Sequence, residues 1–440
     1  MTSVAQIEAA FQKMKEELPR LARESGFLKR ERSFDASQCV EMLLSGWLGN
    51  PHATLGELTQ VAAEADVRLS APGLHKRFTR EAATFLKEAL ELLASQQVQA
   101  TPVQVPLLRR FGAVIAEDST VIRLPEELEE VWQGCGSATQ AARAALKVHV
   151  RWNVLNGHLH GFALSEGRRA DLNSPLKHED LPEGSLYLSD LGYYDLVWLA
   201  WLHQHGRFWV ERLKSRASLS DAQGKRIQLA HVLPRRIGQA KEMKVWVGAK
   251  VRQPARLLML RVPDEVAEQR RTHLREKAAD QGREVSEQRL AEAKWTMLIT
   301  NVPAKRLSFA DALVLLRYRW QMENLFKLWK QDGLIDEWRS ANPWRILCEV
   351  SVKLMAMIVQ LWSLQLGCWH DPARSLFKAA AVVRRHAVGW LEVWRGHRRL
   401  RSLVQALKRA MQSGCRLETR VGEPSAAQLL FGGLNWQLSP

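Results

Sequence analysis

The stretch Leu316-Arg-Tyr-Arg-Trp-Gln-Met-Glu-Asn-Leu-Phe-Lys-Leu-Trp-Lys330 contains a single acidic residue flanked by basic ones. Arg319, Glu323 and Lys330 are spaced four and seven residues apart, which places them on one face of a helix. Aromatic and apolar residues cover much of the remaining surface, so the pattern predicts a mostly buried helix with one charged face. An ordinary ion pair on an amphipathic helix has the same pattern, and that interpretation stays open at this point.

Length and charge limit the class of protein. The chain has 440 residues, enough for two or three domains, and its 63 Lys and Arg against 47 Asp and Glu give a net charge of +16. Such an excess favours a polyanionic partner, most often nucleic acid, although ribosome-associated and membrane-surface proteins share it. The five cysteines are scattered without a CxxC pair, which argues against a disulfide framework or a zinc site.

The N-terminus and the apolar runs predict a cytoplasmic protein with no membrane partner. The first residues, Met1-Thr-Ser-Val-Ala-Gln-Ile-Glu, are too polar for a signal peptide. The longest apolar run, from Leu354 to Leu366, includes Gln360 and is too short and too polar to span a bilayer.

Residues 1–105 are predicted to form a helical DNA-binding domain. Residues 54–66 predict one helix, and after a short turn Ser70 is the predicted N-cap of a second helix with Pro72 in its first turn. The pair is consistent with a helix-turn-helix, and a plain helical bundle with a solvated basic face fits nearly as well. In the first case the second helix presents four basic residues to DNA: His75, Lys76, Arg77 and Arg80.

Residues 106–214 are predicted to form the first part of an α/β core. An apolar strand runs into Asp118, a hairpin turns at Asn156-Gly157, and a further strand ends at Asp190. A helix and a strand that begins at Phe208 follow. The order strand, hairpin, strand, helix, strand, helix is that of an RNase H-like fold.

Residues 215–294 interrupt this order. They predict a β-rich insertion that passes into a charged helical run from Asp264 to Lys294. A solvated helix with ion pairs and an arm that contacts phosphates both remain open for that run. The core is predicted to resume in residues 295–345, and residues 346–440 predict a helical C-terminal region for dimerisation or DNA contact.

Acidic residues of the predicted core suit a site for two metal ions. Phosphodiester cleavage with two metals requires carboxylates that converge on ions roughly 3.5–4 Å apart, and Mg²⁺ prefers such hard oxygen ligands. Asp118 and Asp190 each follow an apolar strand, where a side chain can leave the core, although an aspartate there is also a common cap or turn residue. The neighbouring acids Glu117 and Asp195 are the alternatives.

The opening stretch resembles a family signature. Arg319-x3-Glu323-x6-Lys330 is similar to the tyrosine, arginine, glutamate, lysine signature of bacterial cut-and-paste DDE transposases of the insertion-sequence-four type. The chain departs from the signature at its tyrosine, where it has Leu316. Tyr318 lies two residues further on, about 200° around a helix, so it does not take over the same position.

The order Asp118, Asp190, Glu323 resembles the catalytic triad of the same family, and the resemblance covers most of the chain. It implies a DNA transposase that uses two Mg²⁺ ions, or Mn²⁺ in their place, held by these acids. Water frees a 3′-OH, which forms a hairpin on the opposite strand before the ends join target DNA. The implied partners are double-stranded DNA, as inverted-repeat transposon ends and as target, and a second copy of the chain. The implied location is the prokaryotic cytoplasm, at the nucleoid when bound.

The resemblance also implies roles for residues beside the acids. Arg319 and Lys330 would hold phosphates, Arg bidentately and Lys as a point charge. Trp295 would stack on a base flipped out near the cleavage site, whereas a core tryptophan at the start of a strand is the alternative. Two other functions stay open: an RNase H-like nuclease, and a non-catalytic DNA-binding regulator or inhibitor derived from a transposase.

Overall fold

The computed structural model describes residues 3–28, 35–135, 143–279 and 282–417, together with Gln428 and Leu430. Both ends of the described chain are helical, and strands are confined to its middle. The helices are α1 (Ser3–Glu24), α2 (Ala36–Gly49), α3 (Leu55–Glu64), α4 (Ala71–His75), α5 (Arg80–Ala94), α6 (Leu196–Gln204), α7 (Leu229–Val232), α8 (Asp264–Ala279), α9 (Glu287–Glu292), α10 (Phe309–Tyr318), α11 (Gln321–Gln331), α12 (Pro343–Gly367), α13 (Leu376–Arg385), α14 (Ala387–Arg395) and α15 (Leu400–Gln412). The strands are β1 (Val114–Leu124), β2 (Ala144–Asn153), β3 (Leu159–Glu166), β4 (Leu186–Leu188), β5 (Phe208–Arg212), β6 (Leu219–Ser220), β7 (Ala240–Val247), β8 (Gln253–Arg261) and β9 (Trp295–Thr300).

The chain divides into two compact units, each assembled from separate stretches. Unit 1 contains Met1–Gln104, Asp118–Arg169 and Gln321–Val421. Unit 2 contains Val105–Glu117, Ala170–Trp320 and Gly422–Pro440. Strand β1 begins in unit 2 and ends in unit 1, so the two units share one element of the chain.

Helix α12 forms the core of unit 1. Helices α1, α2, α5, α13 and α15 pack against it, and it is buried on every side. By length and composition α12 could cross a membrane, but its apolar segment is fully buried inside the protein. A helix enclosed in this way has to pair its polar groups. Accordingly, Lys353 Nζ lies 2.8 Å from Glu349 Oε1, and Gln360 Nε2 donates to Asp332 Oδ2 at 3.0 Å.

Strands β2 and β3 form the predicted hairpin in unit 1. They are antiparallel, and β2 is the neighbour of β1 in the strand order. Gly157 at the turn has φ +75, and a Cβ on it would lie 2.9 Å from Gln365 and 3.0 Å from the Trp369 ring. Glycine is favoured at this backbone conformation and leaves the space that the two side chains occupy. Because β2 and β3 pair on either side of it, the prediction of a hairpin that turns at Asn156-Gly157 is confirmed.

The N-terminal helices correct the predicted second helix of a helix-turn-helix. Ser70 caps α4 and Pro72 lies in its first turn, as predicted. However, α4 ends at His75, because the chain becomes extended at Thr79 and that residue caps a new helix, α5. Arg80 is the first residue of α5. The four predicted DNA-binding residues therefore do not lie on a single recognition helix: His75, Lys76, Arg77 and Arg80.

A mixed sheet lies at the centre of unit 2. Its strands follow the order β1, β4, β5, β9, β8, β7, β6. The first three are parallel to one another, and each of the others is antiparallel to its neighbour. Buried side chains of α6, among them Trp198, pack on Tyr187 and Trp209 from the sheet. The chain thus has a mixed α/β fold with a large sheet. Between residues 215 and 294 the described elements are β6, α7, β7 and β8, followed by the charged helices α8 and α9.

The predicted helix from Leu316 to Lys330 consists of two helices. Helix α10 ends at Tyr318, and α11 begins at Gln321. At the junction, Trp320 N donates to Arg317 O at 3.0 Å. This three-residue bond tightens the last turn and ends the helix. The expectation that Arg319 shares a helix with Glu323 and Lys330 is therefore wrong.

We expect the buried ion pair of α12 to be essential for the stability of unit 1. Lys353 Nζ also donates to the carbonyl oxygens of Leu334 and Glu337, at 3.2 and 2.8 Å. Lys353→Met would leave the Glu349 carboxylate buried without its partner, and the free energy of unfolding should fall by about 3–5 kcal/mol in urea titrations.

Lys87→Met is the matched control, because Lys87 and Glu91 form the same i,i+4 pair at 2.9 Å with 37% and 43% of their side chains exposed. We expect this substitution to lower the free energy of unfolding by no more than about 1 kcal/mol. Equal losses in the two variants would contradict a special role for the buried pair.

Candidate active site

Two adjacent acids in β1 have different surroundings. Glu117 is 1% exposed; its Oε2 accepts a hydrogen bond from Tyr187 Oη at 2.9 Å and its Oε1 one from Ser174 Oγ at 3.1 Å. Asp118 is half-buried, and its Oδ1 accepts from the following backbone N–H of Ser119 at 2.9 Å. Glu117 is therefore held within unit 2, whereas Asp118 reaches the surface of unit 1.

Asp190 is exposed just beyond the end of β4. It is extended and precedes a short 3₁₀ turn whose N–H at Tyr193 donates to its carbonyl oxygen at 2.9 Å. The alternative acid, Asp195, instead caps α6 through Val197 N at 2.8 Å and pairs with Lys177 Nζ at 2.6 Å. Asp195 thus has a structural role in unit 2, and Asp190 is the acid that faces solvent.

Glu211, a buried carboxyl group that contacts the residue before Asp190, was not among the site residues predicted from the sequence. Glu211 is 1% exposed in β5, and its Oε1 accepts two hydrogen bonds from Ser189, from the backbone N at 3.1 Å and from Oγ at 2.6 Å. These bonds fix the residue that immediately precedes Asp190. The signal was present in the sequence, because Glu211 directly follows the apolar residues Phe208-Trp-Val of a strand.

Burial raises the pKa of Glu211 to about 8, and the negative charge of Asp190 acts in the same direction. The hydrogen bonds from Ser189 and the positive charge of Arg319 oppose this rise. Among the described residues, Glu211 Oε2 and Tyr194 Oη are buried without a hydrogen-bond partner. The positive charge of Arg319, predicted as a phosphate ligand, therefore acts on the Glu211 carboxyl group within unit 2.

Glu323 and Lys330 lie on α11 in unit 1. Glu323 is half-buried in the first turn of that helix. Lys330 Nζ donates to the carbonyl oxygen of Val121 at 3.0 Å and lies 3.4 Å from Asp336 Oδ2. Because Val121 belongs to β1, Lys330 ties the helix of Glu323 to the strand that carries Asp118.

The residue at the tyrosine position of the family signature, Leu316, lies in α10. Leu316 is half-buried there, and Tyr318 is buried at 8% exposure. Both residues lie on α10, about 200° apart around the helix, so Tyr318 does not replace a tyrosine at position 316.

Trp295 is the first residue of β9 and is half-buried. Its Nε1 donates to Pro234 O at 2.8 Å, and the guanidinium carbon of Arg261 lies 5.8 Å from its ring centroid. The tryptophan is therefore anchored at its N–H and in cation–π contact with Arg261.

The donor chemistry of Asp118, Asp190 and Glu323 suits a divalent cation, because all three offer hard carboxylate oxygens and are partly or fully exposed. Among the residues that the structure describes, however, no group of three or more His, Cys, Asp and Glu side chains is close enough to hold a metal ion. The residue types fit Mg²⁺, and the arrangement described is not an assembled metal site.

Residues 109–359, more than half of the chain, match the family described as "Transposase DDE domain". The transposase for insertion sequence element IS231F of Bacillus thuringiensis subsp. israelensis is 27% identical over 365 residues, 78% of this chain and 76% of that protein. The transposase for IS1151 of Clostridium perfringens is 25% identical over 369 residues, with the same coverage of 78% and 76%. The transposase for IS231D of B. thuringiensis subsp. finitimus is 23% identical over 397 residues, 84% of this chain and 82% of that protein.

We expect Glu211 to make stability depend on pH. Between its ordinary pKa of 4.5 and its folded pKa of about 8, Glu211 is protonated in the folded state and ionised in the unfolded state. The folded state therefore binds more protons, and the free energy of unfolding falls as pH rises through this window. The amide in Glu211→Gln cannot titrate. The free energy of unfolding of this variant should therefore fall less between these pH values than that of the wild type, measured by urea titrations with EDTA.

Glu276→Gln, on the exposed surface of α8, is the matched control for the loss of one carboxyl group. Stability profiles of wild type and Glu211→Gln that run parallel across the window would show that Glu211 does not hold its proton in the folded state.

Proposed function

Because the chain belongs to the DDE transposase family and is thus an enzyme that acts on DNA, we propose that Asp118, Asp190 and Glu323 are its catalytic acids. The observation that carries the proposal is an equal offset in two parallel strands. Ala116 of β1 pairs with Leu188 of β4, and each aspartate lies two residues beyond that pair. This equal offset supports the choice of these two aspartates over the acids next to them.

The contacts of the neighbouring acids support the same choice. Glu117 is buried and accepts hydrogen bonds from Tyr187 and Ser174, whereas Asp195 is half-buried but already pairs with Lys177 and caps α6. A carboxylate that binds a metal ion and a DNA phosphate has to be reachable from solvent, which Asp118 and Asp190 are.

The strand order supports an RNase H-like core. Its proposed parts are residues 106–214 and 295–345, in which β2 and β3 form a hairpin and β1, β4 and β5 are parallel. Residues 215–294 are the proposed insertion. Residues 1–105 are the proposed DNA-binding domain, and residues 346–440 the proposed helical region for dimerisation or DNA contact.

We propose that the three acids hold two Mg²⁺ ions, for which Mn²⁺ substitutes. Such a pair supplies activation of the attacking oxygen and stabilisation of the leaving one. The residues of the chain supply the ligands and their orientation: Ser119 N–H fixes one Asp118 oxygen, and Glu211 fixes Ser189 next to Asp190.

The proposed reaction consists of phosphodiester exchanges. Water attacks a phosphorus atom at the element end, the bond from phosphorus to the 3′-oxygen breaks, and a 3′-OH and a 5′-phosphate result. The 3′-OH then attacks the opposite strand and displaces its 3′-oxygen, which closes a hairpin. Water hydrolyses the hairpin and regenerates a 3′-OH and a 5′-phosphate. The 3′-OH then attacks a phosphorus atom of target DNA and displaces a 3′-oxygen of the target strand, which leaves as a 3′-OH. The bound DNA is double-stranded, as inverted-repeat ends and target, and a homodimer pairs two ends in the cytoplasm.

Arg319 and Lys330 are the proposed phosphate ligands. Arg319 is positive beside the carboxyl groups of unit 2, and its guanidinium can bind a phosphate bidentately. Lys330 uses its Nζ to hold α11 to Val121 and Asp336, and an ammonium group has three donors. The third donor of Lys330 is the one proposed to meet a phosphate.

Loss of one proposed acid should abolish cleavage and preserve DNA binding. Glu323→Gln, Asp118→Asn and Asp190→Asn each keep the size of the side chain and remove its charge, so we expect nicking of end DNA with Mg²⁺ to fall at least about 10³-fold. Gel assays of end cleavage and of DNA binding are the measurements. Glu337→Gln, an exposed acid of unit 1, is the matched control.

These assays also separate the alternatives. A regulator derived from a transposase would bind end DNA without nicking it. A nuclease would cleave without joining the 3′-OH to target DNA. Nicking by Glu323→Gln at the wild-type rate would show that the proposed triad is wrong.

Trp295 is proposed to stack on a flipped base. Trp295→Phe keeps an aromatic face and loses the N–H bond to Pro234 O, whereas Trp295→Ala loses both. The fluorescence of 2-aminopurine placed at the end of the element reports base flipping, which should persist in the Phe variant. The Ala variant should lose about 1–3 kcal/mol of the binding free energy that stacking contributes.

Trp246→Ala is the matched control, because Trp246 is half-buried in unit 2 and Arg252 lies 5.3 Å from its ring centroid. Equal loss of base flipping in the Phe and Ala variants of Trp295 would show that the residue anchors β9 and does not stack on a base.

A further inference from the structure

Unit 1 contains a slot of about 140 Å³ between α5 and α12. Two half-buried indoles, those of Trp132 and Trp344, contribute to its walls, and buried leucine and valine side chains of α12 and β2 line its interior. We call this feature the indole slot. A cavity of about 150 Å³ accommodates one benzene ring, so the indole slot has room for a single flat ring.

One edge of the indole slot is basic. Arg80, Thr84 and Lys87 line it from α5, and their spacing of four and then three residues places them on one face of that helix. The guanidinium carbon of Arg80 lies 5.7 Å from the ring centroid of Trp344. No acidic side chain is among the described residues that line the slot, so the edge is complementary to an anion.

The cations of this edge remain available to a ligand. Arg80 is exposed. Lys87 pairs with Glu91 at 2.9 Å, but 37% and 43% of the two side chains are exposed. Such solvated pairs contribute only about 0–1 kcal/mol, so a phosphate can compete with the Glu91 carboxylate.

An aromatic surface beside two cations is the chemistry that recognises a nucleotide, because a base stacks on indole and its phosphate meets Arg and Lys. An apolar protein side chain would use the interior but not the basic edge. A base inside a duplex has both faces stacked on its neighbours and cannot enter a slot for one ring. The ligand class that uses every part of the slot is an unpaired nucleotide.

We propose that the indole slot binds one unpaired nucleotide of a DNA strand, with the base against Trp132 and Trp344 and the phosphate against Arg80 and Lys87. The proposal rests on the proposed function only in taking DNA as the ligand. It gives Arg80 a role that does not require a recognition helix, and it places a single-strand contact in the N-terminal helices.

Binding of a single-stranded oligothymidylate to the full chain tests the proposal, in EDTA so that no strand is cut. Trp344→Leu keeps an apolar side chain without a stacking face, and we expect its Kd to rise about fivefold or more. The double variant Arg80→Met and Lys87→Met should reduce the slope of log K against log salt by about 0.7, because the one phosphate that both cations contact is no longer neutralised. The double variant Lys13→Met and Arg409→Met removes two exposed charges of unit 1 outside the slot and serves as the matched control.

A measurement on the wild-type chain guards against misfolded variants. A strand that carries 5-bromouracil should crosslink on irradiation to the peptide of Trp132 or Trp344, and thymidine monophosphate alone should bind at least about tenfold more weakly than the strand because it lacks the neighbouring contacts. Crosslinks elsewhere only, binding of the monophosphate as tight as that of the strand, or equal loss of duplex and single-strand binding in Trp344→Leu would overturn the proposal. The cleavage assay with Glu323→Gln is independent of these readouts, so failure of the indole slot leaves the catalytic proposal standing, and failure of the triad leaves the slot testable.

Discussion

Successive side chains of a β-strand point to opposite faces of the sheet, and in β1 this alternation separates two adjacent carboxyl groups. Glu117 enters the interior of unit 2, where two hydroxyl groups satisfy it, and Asp118 reaches the surface of unit 1. A shift of one residue in the pairing of β1 with β4 would exchange the environments of Glu117 and Asp118. The register at Ala116 and Leu188 therefore determines which acid is available for chemistry.

The second aspartate depends on a different kind of constraint. Asp190 lies in a turn, where the backbone has few ladder bonds, and Glu211 fixes its predecessor Ser189 from the adjacent strand. A buried carboxyl group is less costly to hold in its neutral form, which agrees with the raised pKa of Glu211. Unit 2 thus stabilises the loop of Asp190 with an acid that does not itself reach solvent.

Local patterns predict much of this structure. The strands around Asp118 and Asp190, the turn at Asn156-Gly157 and the Ser70 cap follow from alternation, glycine geometry and capping, which involve near neighbours in sequence. The three discrepancies have different causes. The break after Tyr318 and the new helix at Arg80 are local, because the bond from Trp320 N to Arg317 O and the Thr79 cap interrupt runs that helical periodicity alone would continue. The role of Glu211 depends on Ser189, which follows a different strand, and no local pattern contains that contact.

The break between α10 and α11 also changes the electrostatic position of Glu323. In one continuous helix Glu323 would lie near the middle, where every backbone N–H is already bonded. In the structure it lies in the first turn of α11, near amide groups that lack partners within the helix and at the positive end of the helix dipole. The fold thereby surrounds a carboxylate with a favourable field from the backbone itself, independently of any neighbouring side chain.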